Sequence, residues 1–426
     1  MQENSLQALQ AAATAGDAAA QYQLGNHLLK QGLVKAGFGW LHKAAEQDFV
    51  RALDMLGVLL LTGNGVQQNP DMAIQHFRRA AMIGDAQALY RCAEMIFSGV
   101  GSVADTAVAM DCLVPSAQQG YPFALRALGI MLQHDAKDLA LTALQLASYA
   151  GDALSQHSYA LMLLSSNPAQ AKFWFGQAAD QGLFQAIRRY QAMADVEAEQ
   201  PDEPELAPIL RDFVNQISEL TAPSFVKQAI DTLSEEVKVG QVADFFNSVE
   251  CDYLIHTAGP YLQPARVVSE DAAISHHGHR TGETAALGNK HLDFGQAWLQ
   301  QRIASLSDHP HAHAEPLAVI RYQSGEEYKL HGDYLPENSA LTAADFGGQR
   351  VQTVLVYLND DFVGGATHFP HLQLSVQPKA GYALIFSNTD SDHTPNTRSL
   401  HAGTPVESGE KWLASKWIRA LPIQGR

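Results

Sequence analysis

A chain of 426 residues exceeds what one ordinary hydrophobic core organises, so two or three domains are expected, and 46% apolar against 17% charged residues is a globular balance. The excess of 45 acidic over 28 basic side chains, a net charge of −17, argues against a phosphate backbone as the main ligand. Three scattered cysteines suggest neither a disulfide framework nor a thiolate zinc site, and no leader or stretch of ~20 apolar residues is evident, so a cytoplasmic protein without nucleic-acid or membrane partners is expected.

From the N-terminus the first signal is a repeat. The phrase Ala12-Ala13-Thr14-Ala15-Gly16-Asp17 returns at Ala44, Ala80, Ser116, Ala147 and Ala178. Its glycine position falls at 16, 48, 84, 120, 151 and 182, steps of 32, 36, 36, 31 and 31, with Asp48 standing in for glycine once. Nine residues beyond the first five marks sit Gly25, Gly57, Ala93, Gly129 and Ala160. Small residues at such offsets let two helices approach closely, and glycine at the phrase end stops a helix. Stretches such as Ala52–Leu60 and Ala73–Ala81 carry helical apolar spacing, so each repeat reads as a helical hairpin.

Over about residues 10 to 195 this pattern resembles the Sel-one-like branch of the tetratricopeptide-like repeats, and the resemblance implies a solenoid that binds other proteins on its concave face. Stacking without any partner is the bland alternative. Gly63-Asn64-Gly65-Val66 lacks the Lys-Ser/Thr ending of a phosphate loop and reads as a turn inside one repeat.

Residues 196 to 208 turn acidic and proline-rich, the signature of a linker, and a short helical segment is expected at about 209 to 235. The expected organisation is a repeat domain over 1–195, a linker and connecting helix over 196–236, and a second domain over 237–426. In that last part strands are predicted at Pro316–Tyr322, Val351–Leu358, Leu372–Val376 and Tyr382–Phe386, which suits an all-β sandwich or jelly roll.

His331 and Asp333 lie two apart, so an extended strand would point both to one face. The doublet alone is weak evidence for a metal. His401 follows 70 residues later and Lys411 ten beyond it, with the Tyr357-Leu358-Asn359-Asp360 strand end and the Gly364–Phe369 hairpin between. Two imidazoles and one carboxylate on one face of an ion leave three neighbouring positions open, the ligand set of non-haem iron(II) oxygenases.

Residues 237 to 420 resemble the prolyl 4-hydroxylase family of 2-oxoglutarate oxygenases. The resemblance rests on Val242–Ile255, Arg321–Asp333, Tyr357–Asp360, His401-Ala402-Gly403-Thr404-Pro405-Val406 and Lys411-Trp412. It implies an all-α solenoid of helical-hairpin repeats followed by a double-stranded β-helix, or jelly roll, with flanking helices. It further implies Fe(II) held by His331, Asp333 and His401, and 2-oxoglutarate whose distal carboxylate meets Lys411 and Tyr322. Tyr357 is a further cosubstrate candidate, and Tyr328 and Trp417 match aromatics near the substrate; core packing is the plain alternative for each aromatic. Molecular oxygen as co-reactant, succinate and CO2 as co-products, and ascorbate as an accessory reductant belong to the same expectation. Arg350 and Thr353 also match family positions, but a strand residue with a satisfied hydroxyl is the blander account, so both stay outside the expected site.

The segment His276–Gly282 stands where the family has an Arg-Thr-Ser type substrate loop, which leaves substrate choice open. His309, His311 and His313 alternate like ligands, yet Pro310 marks an edge or loop, and a solvated loop is expected there. No Gly-x-Ser-x-Gly elbow supports a hydrolase. The expected function is hydroxylation of prolyl residues in a protein or peptide recruited by the repeats. The alternatives are a free amino acid or small molecule as substrate, or a non-catalytic scaffold.

Overall fold

The computed structural model describes residues 3–218, 220, 225, 228–265, 267–268, 274–275, 280–288, 291–336 and 339–423. Twelve helices run from Glu3–Thr14 to Phe184–Ala192 among the described residues, mostly 13 residues long, and successive helices pack as hairpins. The recurring phrase explains their joints. Gly16, Gly84, Gly120, Gly151 and Gly182 all take left-handed φ values between 77° and 100°, where a side chain is strained. Asp48 occupies the same position with φ 55°, a conformation that aspartate tolerates better than most residues. The aspartate after the glycine then caps the next helix: Asp17, Asp85 and Asp152 accept from the backbone N–H of Ala20, Ala88 and Ser155 at 2.6, 2.8 and 2.9 Å. Stop and start signals are thus adjacent residues.

The small residues nine beyond each mark sit where helices touch. A Cβ on Gly25 would lie 2.9 Å from Leu41 Cγ, and one on Gly129 would lie 2.6 Å from Leu144 Cγ. On Gly57 it would lie 2.6 Å from the ring of Phe77, which is fully buried.

Contacts divide the chain into two compact units: Met1–Leu128 with Glu205–Pro223 and Leu292–Phe294, and Gly129–Pro204 with Ser224–His291 and Gly295–Arg426. This division differs from the motif boundary expected near 195, because the last repeats pack on the helix Ser248–Ala258. Glu250 of that helix accepts from His134 Nε2 at 2.8 Å and pairs with Arg302, and Asp252 meets His157 at 3.0 Å and Arg189 at 3.3 Å. Asn247, its N-cap, donates to Gln133 at 3.1 Å. The expected linker lacks regular structure as far as Glu205, its last three residues opening the next helix, and is tied back to the repeats, with Glu199 N donating to Ala169 O at 3.1 Å. The helical segment expected at 209–235 is shorter than that: the helix is Leu206–Ile217, and Asp231–Ser234 is already a strand. Pro223 bars one helix from running on through the segment, and Ile230 and Thr232 are β-favouring residues.

Two main antiparallel sheets dominate the rest of the second unit, beside two short two-stranded pairs, Val363–Gly364 with Val406–Ser408 and Val267–Val268 with Ile274–Ser275. The larger has eight strands in the order Asp231–Ser234, Val239–Val242, Ala383–Ser387, Arg350–Tyr357, Glu410–Arg419, Leu317–Gln323, Glu283–Leu287 and Gln263–Pro264. The smaller orders Leu374–Val376, Thr367–Phe369, His401–Gly403 and Tyr328–His331. Ile320, Tyr322, Leu355 and Leu413 of the first sheet and Phe369 and Val376 of the second share one buried core, so the expected jelly roll is present. The longest strand, Glu410–Arg419, lies inside the larger sheet, paired on both sides.

Gly57→Val is expected to lower the unfolding midpoint followed by circular dichroism, at a cost of about 2 kcal/mol, because the Phe77 ring leaves no room for added methyl groups.

Candidate metal centre

Register places the first two ligands. His401 and His331 are direct partners across an antiparallel pair, and their rings lie 4.3 Å apart between centroids. Asp333 falls just past the strand end and not on the strand as expected, because Gly332 turns the chain beside the Tyr334 ring, where a Cβ would come within 2.4 Å. The three side chains still converge. Their ligand atoms all lie within 4.8 Å of one another, and no other group of three His, Cys, Asp or Glu does so among the described residues. His309 and His313 stay outside any such group: a short 3-10 turn spans 311–313, and His313 Nδ1 bonds Arg419 O at 3.1 Å.

Hydrogen bonds set the imidazole tautomers. His331 Nδ1 donates to Lys329 O at 2.7 Å, and His401 Nδ1 donates to Ser399 O at 3.0 Å, which leaves both Nε2 lone pairs for an ion. Burial, then the neighbouring His331, pushes His401 down to about 4, so its ring is neutral. Burial would raise the Asp333 carboxyl, but the His331 and His401 imidazoles beside it and the donating Thr353 hydroxyl together hold it well below the usual carboxylate range. Two neutral nitrogens and one carboxylate oxygen, pre-aimed and nearly dry, fit Fe(II).

Beside them opens a cavity lined by the triad and by Tyr322, Tyr328, Lys411, Trp417, Arg280 and apolar Ile320, Leu355 and Leu413. Lys411 is 2% exposed, donates only to Gly365 O at 2.7 Å, and has no carboxylate partner among the described residues. Burial alone pushes its ammonium down to about 7. Such a cation is complementary to an incoming carboxylate. Tyr322 is its cross-strand partner. Tyr328 stacks on His331 at 3.4 Å between centroids, and Trp417 forms part of the wall.

Tyr357 differs from expectation. It is buried, its hydroxyl shares a 2.7 Å hydrogen bond with Thr367, and it packs 5.7 Å from the Lys411 ammonium without lining the cavity. Arg280 is the contributor that sequence reasoning passed over. Its Nε donates to Tyr322 OH at 3.2 Å and its guanidinium lies 5.0 Å over the Tyr328 ring. It was visible inside the quoted segment 276–282, but nothing local signals burial of that arginine. His276, His277 and His279 of the same segment lie outside the described residues.

Residues 317–419 match the 2OG-Fe(II) oxygenase superfamily, and residues 18–49, 50–85, 86–121 and 154–183 match the Sel1 repeat. Prolyl 4-hydroxylase 2 of Arabidopsis thaliana is 31% identical over 227 residues, 48% of this chain and 74% of that protein. Prolyl 4-hydroxylase 1 of the same plant is 35% identical over 194 residues, 41% of this chain and 66% of that protein. Among solved structures, the viral collagen prolyl hydroxylase of Paramecium Bursaria Chlorella virus-1, in its 2OG complex, is 27% identical with a TM-score of 0.35, covering 44% of this chain and 99% of that one.

A lysine whose folded pKa lies near 7 against an ordinary 10.5 binds fewer protons folded than unfolded between those values. Its contribution to the ligand-free protein therefore rises with pH through that window and is most unfavourable below it. Lys411→Met is expected to raise the melting temperature of the ligand-free protein at pH 6.5 and to flatten its rise between pH 7 and 10.5; an unchanged profile would show that the buried charge is relieved elsewhere.

Proposed function

The chain belongs to the prolyl 4-hydroxylase family of 2-oxoglutarate- and iron(II)-dependent oxygenases, and from there we propose that it hydroxylates prolyl residues of a protein or peptide recruited by its helical repeats. The observation that carries this reading is the placement of an uncompensated Lys411 ammonium in the same cavity as the His331, Asp333 and His401 donors.

His331, Asp333 and His401 would hold the iron, which when bound supplies the activation of oxygen at the expense of 2-oxoglutarate, leaving succinate and CO2, with ascorbate as an accessory reductant. Lys411 and Tyr322 anchor the distal carboxylate of the cosubstrate by charge and hydrogen bond. Ile320, Leu355 and Leu413 keep water from the cavity, so each polar contact inside acts at low dielectric. Tyr328 and Trp417 flank the opening for the target ring. Arg280 and Trp417 also line a second, outer cavity of about 1040 Å³ with Pro260, Tyr261 and His291, an aromatic groove suited to an extended prolyl peptide.

A free amino acid is the second reading, favoured by Arg280. Its buried guanidinium has no carboxylate within ion-pair distance among the described residues, one cation more than the cosubstrate requires.

Purified protein with Fe(II), oxygen and 2-oxoglutarate is expected to release succinate, and His331→Ala to abolish release. Lys411→Ala is expected to raise the KM for 2-oxoglutarate by roughly 100-fold or more, the effect of leaving a buried carboxylate unpaired. Mass spectrometry after incubation with cell extract separates the substrates: a new +oxygen mark on peptidyl proline supports the first reading, and hydroxylated free proline alone replaces it with the second.

A further inference from the structure

Asp333 offers two carboxylate oxygens, and the surrounding side chains treat them differently. Oδ1 lies 3.6 Å from His331 Nε2. Oδ2 lies 3.8 Å from His401 Nε2 but also accepts the Thr353 hydroxyl at 2.7 Å. Thr353 is fully buried on the strand Arg350–Tyr357. Its oxygen in turn accepts Nδ2 of Asn388, also fully buried, at 2.9 Å.

This order of bonds decides where the threonine proton points. A hydroxyl carries one hydrogen, and the amide of Asn388 can only donate through Nδ2, so the Thr353 proton is committed to Asp333 Oδ2. Asn388 is itself fixed through its backbone, donating to Val351 O at 2.8 Å and accepting from Asn396 N at 3.0 Å. Neither Thr353 nor Asn388 lines the cavity, so neither can touch cosubstrate or substrate.

We propose that Thr353, oriented by Asn388, is the positioning residue that confines Asp333 to coordination through one oxygen. The proposal rests on the reading of this site as an iron and 2-oxoglutarate centre. The constraint has a chemical purpose. A six-coordinate ion held by two imidazoles and one carboxylate oxygen keeps three positions, two for the chelating cosubstrate and one for oxygen. If both oxygens of Asp333 bound, one of those three would be lost. A donor filling Oδ2 draws its charge away from the ion and leaves Oδ1 as the single ligand, as outer partners commonly do for ligating carboxylates.

The test uses full-length protein stripped of metal and titrated anaerobically with Co(II), then with 2-oxoglutarate, following visible absorption. Wild type and Thr353→Ser are expected to give the same affinity, the same bands and the same response to 2-oxoglutarate. Thr353→Val is expected to bind Co(II) about 10- to 100-fold more weakly, with altered bands and a lost response to 2-oxoglutarate. Because that variant strands the Asn388 amide, it is paired with Thr353→Val/Asn388→Leu, in which both partners are apolar and stability should return. Recovered melting temperature with still-altered bands supports positioning. Wild-type affinity and bands in either valine variant would overturn it, assigning Thr353 to folding alone. The infrared difference spectrum of metal-loaded minus metal-free wild type gives an independent reading: a wide carboxylate splitting supports one-oxygen binding and a narrow one overturns it. If wild type takes up no Co(II) at all, the metal-centre reading itself falls.

Discussion

The burial of the Lys411 ammonium is the constraint around which the catalytic sheet is arranged. A bare cation in a dry interior is costly unless a partner arrives, so the fold must hold it in place while none is present. It does so with rigid neighbours. Lys411 begins the central strand Glu410–Arg419, opposite Tyr322, and its ammonium sits between the rings of Tyr322 and Tyr357, 5.7 Å from each. Gly365 supplies the one carbonyl in reach and takes φ 64°, since a Cβ there would lie 3.0 Å from the lysine Cδ. Stability given up at this position leaves the cavity with a charge complementary to a carboxylate.

The metal donors show the complementary solution. His331 and His401 face each other across strands of the smaller sheet, whose edges need no long-range ion pairs to set their spacing. Each ring is oriented by a carbonyl only two residues before it, so the ligand geometry is encoded locally even though the ligands lie far apart in the chain. Asp333 is the exception, because its carboxylate accepts the hydroxyl of Thr353, which stands on the strand Arg350–Tyr357 of the other sheet.

How much of this was legible in the sequence follows from how local each signal is. The repeat marks were readable because helix stop, cap and close contact are decided within a few residues, and even Asp48 obeyed the glycine position. The triad, Lys411 and the jelly-roll strands followed from ordered motifs. What escaped were relations between distant residues. Arg280 reaches Tyr322 across 42 positions, and nothing in its own surroundings announces a buried guanidinium. Tyr357 is a cosubstrate candidate by resemblance alone, and its hydroxyl meets Thr367, a contact that its own surroundings in the chain do not announce. The strand expected to carry Asp333 ends two residues before it, at His331.

The pairing of His134 with Glu250 and of His157 and Arg189 with Asp252 carries a consequence for the chain's history. Glu250 also pairs with Arg302 of the oxygenase half, whereas Asp252 draws its donors His157 and Arg189 from the repeats. That acid is matched to donors more than 60 residues upstream, so the two halves cannot be exchanged as interchangeable beads. Recombination that swapped in another repeat array would inherit a buried Asp252 without these donors. An exchange of repeat arrays would therefore have to carry the matching donors with it, or replace the acid as well.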